Sequence, residues 1–484
     1  MHTIWVTAAL TLANIVGGFE FVHHNEDSLL KTLESVHEKC PSITRLYSVG
    51  DSVEGRPLAV IQFAAQSDVA PAEDAFRHYI GRPEFKYVAN MHGNEVVGRE
   101  LVLKLADYLC QRWLDNDAEI RKLINLTSIH LMPTMNPDGY EQAYALGKSG
   151  RSWLVGRSNA HNVDLNRNFP DLDSLLFYLE ENGIPRYDHL LELFDDKEKH
   201  EPETRAVGTW ILQTPFVLSA NLHEGDLVAN YPFDLSRAVG QDKYSKSPDD
   251  ATFKHLALSY SLTHSKMADP ERKPCDMGGD DAFAKQGGIT NGARWYSVEG
   301  GMQDFNYLAS NCFEITLELS CKKFPPADTL EQFWKDNKNA LLNFMWQTHI
   351  GIKGVVKSAA TGQHIPDAVI WVTNITDPAK PNLIRHPVTS VRTGDYFRLL
   401  VPGTYNVTVQ AEGYAPSSKK VTVTNPIHSE AQRVDFELQP ETSNGGYPVD
   451  DNGVVVLADG EKAIPDEDEL NEEQLREIME QLRV

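Results

Sequence analysis

A His and a Glu close the run Tyr87-Val-Ala-Asn-Met-His92-Gly93-Asn94-Glu95, and an imidazole and a carboxylate at that spacing can grip one metal ion. Two other pairs share the spacing, His23 with Glu26 and His200 with Glu203. Their surroundings differ. His23 follows a leader-like N-terminus and His200 sits in the charged run Asp195-Asp-Lys-Glu-Lys-His-Glu, so both pairs read as solvated surface. His92 is approached by an apolar, strand-like segment, and Val96 to Leu105 then repeats aliphatic residues at helical spacing. A strand-to-helix junction is where α/β enzymes place chemistry.

A catalytic zinc needs about three protein ligands and one open position. Val217-Leu-Ser-Ala-Asn-Leu-His223 is a second apolar run ending in His, and it offers a candidate third ligand far along the chain. Alone, His223 reads equally well as a hydrogen-bonded histidine at a strand end. Further candidates lie in Gly156-Arg157, in Asp164-Leu-Asn166-Arg167-Asn-Phe-Pro-Asp171, and at Asp234 after Ala229-Asn-Tyr-Pro-Phe. The last group runs from Arg294-Trp-Tyr296-Ser-Val-Glu-Gly-Gly-Met-Gln303-Asp304 into Glu314-Ile-Thr-Leu-Glu318. Singly, Arg167 would be a surface ion-pair residue and Glu318 a polar residue on a strand. Together with His92, Glu95 and His223 they form a constellation.

The elements that must carry these residues alternate between helical and strand-like patterns from about residue 25 to 348. Glu26 to Lys39 predicts a first helix, Leu58 to Phe63 and Tyr87 to Asn90 strands, Glu100 to Leu114 a helix and Ile129 to Met132 a strand. Met135-Asn-Pro-Asp-Gly-Tyr140 is turn chemistry. The fold class is therefore α/β, a mixed sheet flanked by helices. From about Gly354 short alternating strands separated by Gly and Pro predict a small all-β sandwich. The expected division is a leader over 1–18, a catalytic α/β domain over 19–348, a sandwich over 349–440, and an acidic linker with an amphipathic helix over 441–484.

At 484 residues, with 41% hydrophobic residues and a formal charge of −24, the chain can bury a proper core and is a poor partner for nucleic acid. Residues 1–18 read as a signal peptide, which assigns the protein to the secretory pathway. Three Asn-x-Ser/Thr sequons, at Asn125, Asn374 and Asn406, agree with that route. Five cysteines are too few for a disulfide scaffold; Cys40 and Cys110 are plausible partners, and Cys275, Cys312 and Cys321 stay unassigned. Near the end, Leu475, Ile478, Met479 and Leu482 recur at helical spacing among Glu472, Glu473, Glu477 and Glu480, which is expected to give pH-dependent contact with a membrane or partner surface.

On the motifs His-Gly-Asn-Glu, Met-Asn-Pro-Asp-Gly-Tyr, Asp-Leu-Asn-Arg-Asn-Phe-Pro-Asp, Trp-Tyr-Ser-Val, Gly-Gly-Met-Gln-Asp-Phe-Asn-Tyr and Glu-Leu-Ser-Cys, the chain resembles the regulatory, or N/E, branch of the zinc metallocarboxypeptidases. The resemblance covers nearly the whole length. It implies a transthyretin-like sandwich after the catalytic domain, and one Zn2+ per catalytic domain held by His92, Glu95 and His223. It further implies Glu318 as general base, Arg157 as oxyanion stabiliser, and Asn166 and Arg167 as the clamp for a free C-terminal carboxylate. Tyr296, matched in preference to Tyr307 by its spacing from Glu318, would close over the substrate, and Asp234 and Gln303 would recognise a C-terminal Lys or Arg.

The implied activity is a secretory-pathway exopeptidase that trims C-terminal Lys or Arg from peptide or prohormone intermediates, in a granule lumen or after secretion. A non-catalytic peptide-binding or sorting protein on the same fold is the rival, and the retention of His92, Glu95, His223 and Glu318 argues against it. One departure stands out: His223 is followed by Glu224-Gly225, where the family usually has two glycines. A side chain there is expected to crowd the pocket or add negative charge beside the metal, so that Glu224→Gly would preserve or improve turnover.

Overall fold

The structure is a computed structural model that describes residues 19–65, 78–147, 153–182, 199–238, 240–275 and 283–441. The expected leader and the expected C-terminal amphipathic helix, with its membrane contact, lie outside the described residues. Among those that are described, no helix is long and apolar enough to cross a membrane.

The first part of the chain folds into an α/β unit. Its strands are β1 (Thr44–Asp51), β2 (Pro57–Phe63), β3 (Glu84–Ala89), β4 (Ser128–Met132), β5 (Phe216–His223), β6 (Leu227–Tyr231), β7 (Ile289–Asn291) and β8 (Phe313–Leu319). Its helices are α1 (Glu26–Lys39), α2 (Val97–Leu114), α3 (Ala118–Leu126), α4 (Pro137–Ala145), α5 (Leu172–Asn182), α6 (Pro202–Gln213), α7 (Asp250–Ser261), α8 (Gly292–Trp295), α9 (Met302–Ala309) and α10 (Leu330–Trp346). The sheet has eight strands in the order β1-β2-β4-β3-β5-β8-β6-β7. The β4-β3-β5-β8 run is parallel, and β1, β2 and β6 join antiparallel neighbours. A mixed sheet with helices against it is the expected class.

Local chemistry explains the elements. The Asn25 side chain accepts the N–H of Ser28, Glu26 and Asp27 occupy the first turn of α1, and His37 and Lys39 the last, matching the helix dipole. Leu29, Leu33 and Val36 turn inward, and the Cys40–Cys110 disulfide ties α1 to α2. A second disulfide joins Cys275 to Cys321, leaving Cys312 as a buried free thiol. The Met135-Asn-Pro-Asp-Gly-Tyr segment is more than a turn. Asn136 accepts the N–H of Gly139 and Pro137 starts α4, a good first helical residue because it lacks the N–H that would go unbonded. β3 begins earlier than its apolar residues suggest, because its charged members are partnered inside the protein. Glu84 meets His78 and His130 at 2.9 Å each, and Lys86 donates to Asn306 at 2.7 Å.

After a turn at Gln347–His349 the chain enters the β-sandwich. One sheet is β11 (Asn382–Thr389), β10 (Val369–Asn374), β13 (Gly403–Ala411) and β14 (Tyr414–Val423); the other is built on β9 (Ile352–Ser358) with β12 (Asp395–Arg398), β15 (Gln432–Arg433) and β16 (Phe436–Leu438). Inward Val and Ile residues of both sheets form a separate core. The sandwich docks through polar groups as well. Buried Arg398 donates to Asp249 at 2.8 Å, Tyr307 of α9 donates to the same carboxylate at 2.8 Å, and the His386 ring lies 3.7 Å from that of Tyr307.

Candidate active site

The parallel strands end on one side of the sheet, and the site gathers there. β3 stops at Ala89, and Asn90 turns the chain with a φ of 57°. Its side-chain amide donates to the carbonyls of His92, Gly93 and Glu95 at 3.0, 3.0 and 2.8 Å, so one residue templates the whole loop. Gly93 is required there, since a Cβ would lie 2.1 Å from the Tyr140 nitrogen. His223 is the last residue of β5, and the parallel register sets it opposite Glu318 on β8.

This brings His92, Glu95 and His223 together, all buried. Nδ1 of His92 lies 3.0 Å from Glu95 Oε1, and Nδ1 of His223 lies 2.9 Å from Oε2. Despite burial, the two imidazoles hold the Glu95 carboxyl well below its usual range. Burial also pulls His223 down, against Glu95, which favours the neutral ring that a metal ligand must be. Nε2 of His92 faces Asp164 Oδ1 at 2.9 Å, the carboxylate brace that orients a ligating histidine. Two imidazole nitrogens and a carboxylate, convergent and braced, could hold a divalent metal, and the donor set suits zinc.

Arg157 reaches the same point from the opposite wall. Its Nη1 lies 3.2 Å from His92 Nδ1, while Nε donates to Asp164 at 3.0 Å. Asn136 donates to the carbonyls of both Met91 and Arg157, joining the two walls. Asn166 and Arg167 lie in the short helical turn Leu165–Arg167, where Asp164 accepts the Asn166 N–H at 3.0 Å. Asn166 Oδ1 then accepts the N–H of Met302, the first residue of α9, at 3.0 Å. Tyr296 stands at the mouth with 42% of its surface exposed.

These walls enclose a cavity of about 240 Å³. His92, Glu95, Arg157, Asn166, Arg167, His223, Asp234, Tyr296 and Glu318 all line it. Glu318 is buried, and its Oε2 finds no hydrogen-bond partner among the described residues. Burial, with Glu95 nearby, raises its pKa well above the usual carboxylate range against the opposing Lys323 charge. At the far end Asp234 Oδ1 accepts from Gln303 Nε2 at 2.9 Å and Asn230 Nδ2 at 3.1 Å. Burial pushes Asp234 up to about 6. Gln303 is not among the lining residues; it stands behind Asp234 and holds that carboxylate.

Two expectations are corrected. The Glu224 carboxyl accepts the backbone N–H groups of Val97 and Phe324, so it is turned to the start of α2 while the residue as a whole still borders the cavity, and burial raises its pKa well above the usual carboxylate range. The pairs His23/Glu26 and His200/Glu203 are not solvated surface. His23 Nε2 meets the Pro325 carbonyl at 2.8 Å, His200 Nδ1 meets that of Asn168 at 2.7 Å, and Glu203 is fully buried, accepting from Val53 and Asn159. Among residues given no role from sequence, Asn230 and Lys323 line the cavity and Asp164 braces His92. Lys323 Nζ lies 2.9 Å from Glu95 Oε1 and 4.6 Å from the Trp153 ring centroid. Asp164 and Asn230 stood inside recognisable motifs, whereas nothing in the local sequence distinguishes Lys323.

A family model described as zinc carboxypeptidase matches residues 29–340, and one described as carboxypeptidase regulatory-like domain matches residues 351–439. The chain is 52% identical to carboxypeptidase E of Caenorhabditis elegans over 420 residues, which is 86% of this chain and 87% of that protein. It is 48% identical to the carboxypeptidase N catalytic chain of Mus musculus over 446 residues, 91% of each chain. Carboxypeptidase Z of Rattus norvegicus is 45% identical over 423 residues, 87% of this chain and 61% of that protein.

Proposed function

The chain belongs to the zinc carboxypeptidase family, and from that premise we propose that it removes C-terminal Lys or Arg from peptides. The observation that carries the basic preference is Asp234, a buried carboxylate in the cavity that also holds His92, Glu95 and His223. A carboxylate in a confined pocket discriminates by charge, which an apolar pocket cannot do.

His92, Glu95 and His223 would hold one Zn2+, which when bound supplies a Lewis acid able to lower the pKa of a water and polarise a carbonyl. Glu318, with Oε2 unpartnered, takes the proton from the attacking water and passes it to the leaving amine; a divalent cation held by Glu95 would offset the burial and carboxylate repulsion that raise Glu318, favouring the ionised form a base needs. Arg157, ion-paired with Asp164, presents its guanidinium to the oxyanion that develops on the scissile carbonyl. Asn166 and Arg167 hold the free terminal carboxylate; a planar guanidinium with a neutral amide suits that group better than a lone ammonium. Tyr296 closes over the bound residue, and Gln303 keeps Asp234 aimed at its basic end.

The substrates proposed are peptide or prohormone intermediates in the secretory pathway, met in a granule lumen or after release. Two disulfides support an oxidising compartment. Matched peptides ending in Arg, Lys, Leu or Glu, assayed with and without a chelator and with Glu318→Gln, test the reading. Chelator-sensitive release of Arg and Lys, abolished in E318Q, is expected; equal release of Leu, or indifference to chelator, overturns it.

A further inference from the structure

The first turn of α9 touches both halves of the substrate-recognition apparatus. Met302 donates its N–H to Asn166 Oδ1 at 3.0 Å, on the carboxylate-clamp side. Gln303 donates to the Asp234 side chain at 2.9 Å. Asp304 does something different: its Oδ2 accepts the backbone N–H of Asp234 at 2.5 Å. Consecutive residues of one helical turn therefore hold the clamp, the pocket carboxylate and the backbone beneath that carboxylate.

Asp304 is itself backed by Asp173 of α5, and both are buried. No conventional donor among the described residues reaches Oδ1 of either. The two carboxyls lie close enough to raise or lower each other's proton affinity, so together they form one buried acidic pair. Burial raises both well above the usual carboxylate range, with Asp304 and Asp171 adding to it at Asp173 and Asp234 at Asp304.

Space around Asp234 is tight: a Cβ on Gly292 would lie 1.7 Å from its Oδ1. A small shift of the Asp234 backbone would therefore move the carboxylate into occupied volume or away from the cavity. We propose that Asp304, supported by Asp173, is a positioning residue for recognition of the basic side chain: it fixes the backbone of Asp234 so that the carboxylate faces the bound cationic group at a set distance from the Asn166–Arg167 clamp. This rests on the basic-residue reading above and adds a residue that does not itself touch substrate.

The test uses the full zinc-loaded chain and two peptides identical except for a C-terminal Arg or Leu, with free arginine as a competing ligand. Losing this buried hydrogen bond and leaving the Asp234 N–H unpaired predicts that D304A raises KM for the Arg peptide and Ki for arginine about tenfold, with kcat within about threefold. The KM for the Leu peptide should move by less than about twofold, because that residue does not use Asp234. In a D234A background D304A should add almost nothing, the signature of two residues acting as one unit. D304N keeps an acceptor for the Asp234 N–H and should fall between D304A and the parent; it also serves if D304A fails to fold. Equal damage to Arg and Leu peptides, a fall in kcat at unchanged KM, or full additivity with D234A overturns the proposal. A parent protein with no preference for Arg over Leu would instead refute the basic-residue reading and remove the premise.

Discussion

The carboxylate of Glu224 closes on the backbone N–H of Val97, the residue that opens α2. α2 has no side-chain cap of its own, because its N-cap position is Val96. Glu224 supplies one from a different strand connection, and its second oxygen takes the N–H of Phe324 at 3.2 Å. The departure from two glycines is thus a structural tie beside the third candidate ligand.

Glu224→Gly is therefore expected to lower stability by about 0.5–2 kcal/mol, the range for loss of a helix cap. Thermal unfolding of E224G and E224Q checks this, with turnover measured on the folded fraction. An unchanged midpoint in E224G would return Glu224 to the role of a simple pocket side chain.

Asp164 joins His92 to Arg157, bonding the ring at 2.9 Å and the guanidinium Nε at 3.0 Å. Removing such a brace typically weakens metal affinity about 10–100-fold. D164A should show that loss in competition with a metallochromic chelator. The metal-stripped parent should melt at lower temperature and recover when zinc is added, by mass action.

Asp234 is held up to about 6 by burial, with Asn230, Arg167 and Gln303 opposing. Its charge is present above that value and lost as pH falls through it. The KM for a C-terminal Arg peptide should therefore rise below about pH 6, approaching tenfold per unit, while that for a Leu peptide does not follow. D234N should abolish the difference in slope. Parallel profiles in the parent would remove Asp234 from recognition of the cation.

His78 bridges the two domains, with Nδ1 2.9 Å from Glu84 and Nε2 2.9 Å from Asp395 of β12. Burial opposes its charge, but the two carboxylates outweigh it and raise His78 to about 9, and Glu84 is lowered to about 2 by His130 and His78 against its own burial. A raised histidine stabilises fully below its unfolded value of about 6.5 and loses that contribution as pH climbs through about 9; a lowered carboxyl stabilises above about 4.5 and loses it as pH falls toward 2. Other groups at this junction are His130, bonded to Glu84, and Lys353, whose Nζ donates to the Gly81 carbonyl at 2.9 Å. Urea midpoints should thus fall between pH 6.5 and 9 in the parent, and this fall should be absent in H78Q.

Much was legible in the chain because the relevant contacts are local. His92 and Glu95 share one loop, the apolar runs before His92 and His223 read directly as strands, and the change to period-two alternation near Gly354 announced a second core. β3 runs further back than its apolar residues suggest and Glu203 is buried for the same reason: charged residues signal solvent unless their partners are known, and the partners of Lys86, Glu84 and Glu203 include Asn306, His130 and Asn159, far away in sequence.

By itself the sequence determined which residue types could bind metal, take a proton or clamp a carboxylate, since side-chain chemistry and short-range periodicity belong to the chain. The tertiary structure decided where those groups point. The parallel register that sets His223 against Glu318, the turn of Glu224 toward Val97, the withdrawal of Gln303 behind Asp234 and the arrival of Lys323 at Glu95 depend on sheet order and packing between distant segments. Hydrogen-bond geometry is fixed to fractions of an ångström, and residue spacing along a chain carries no such information across a fold.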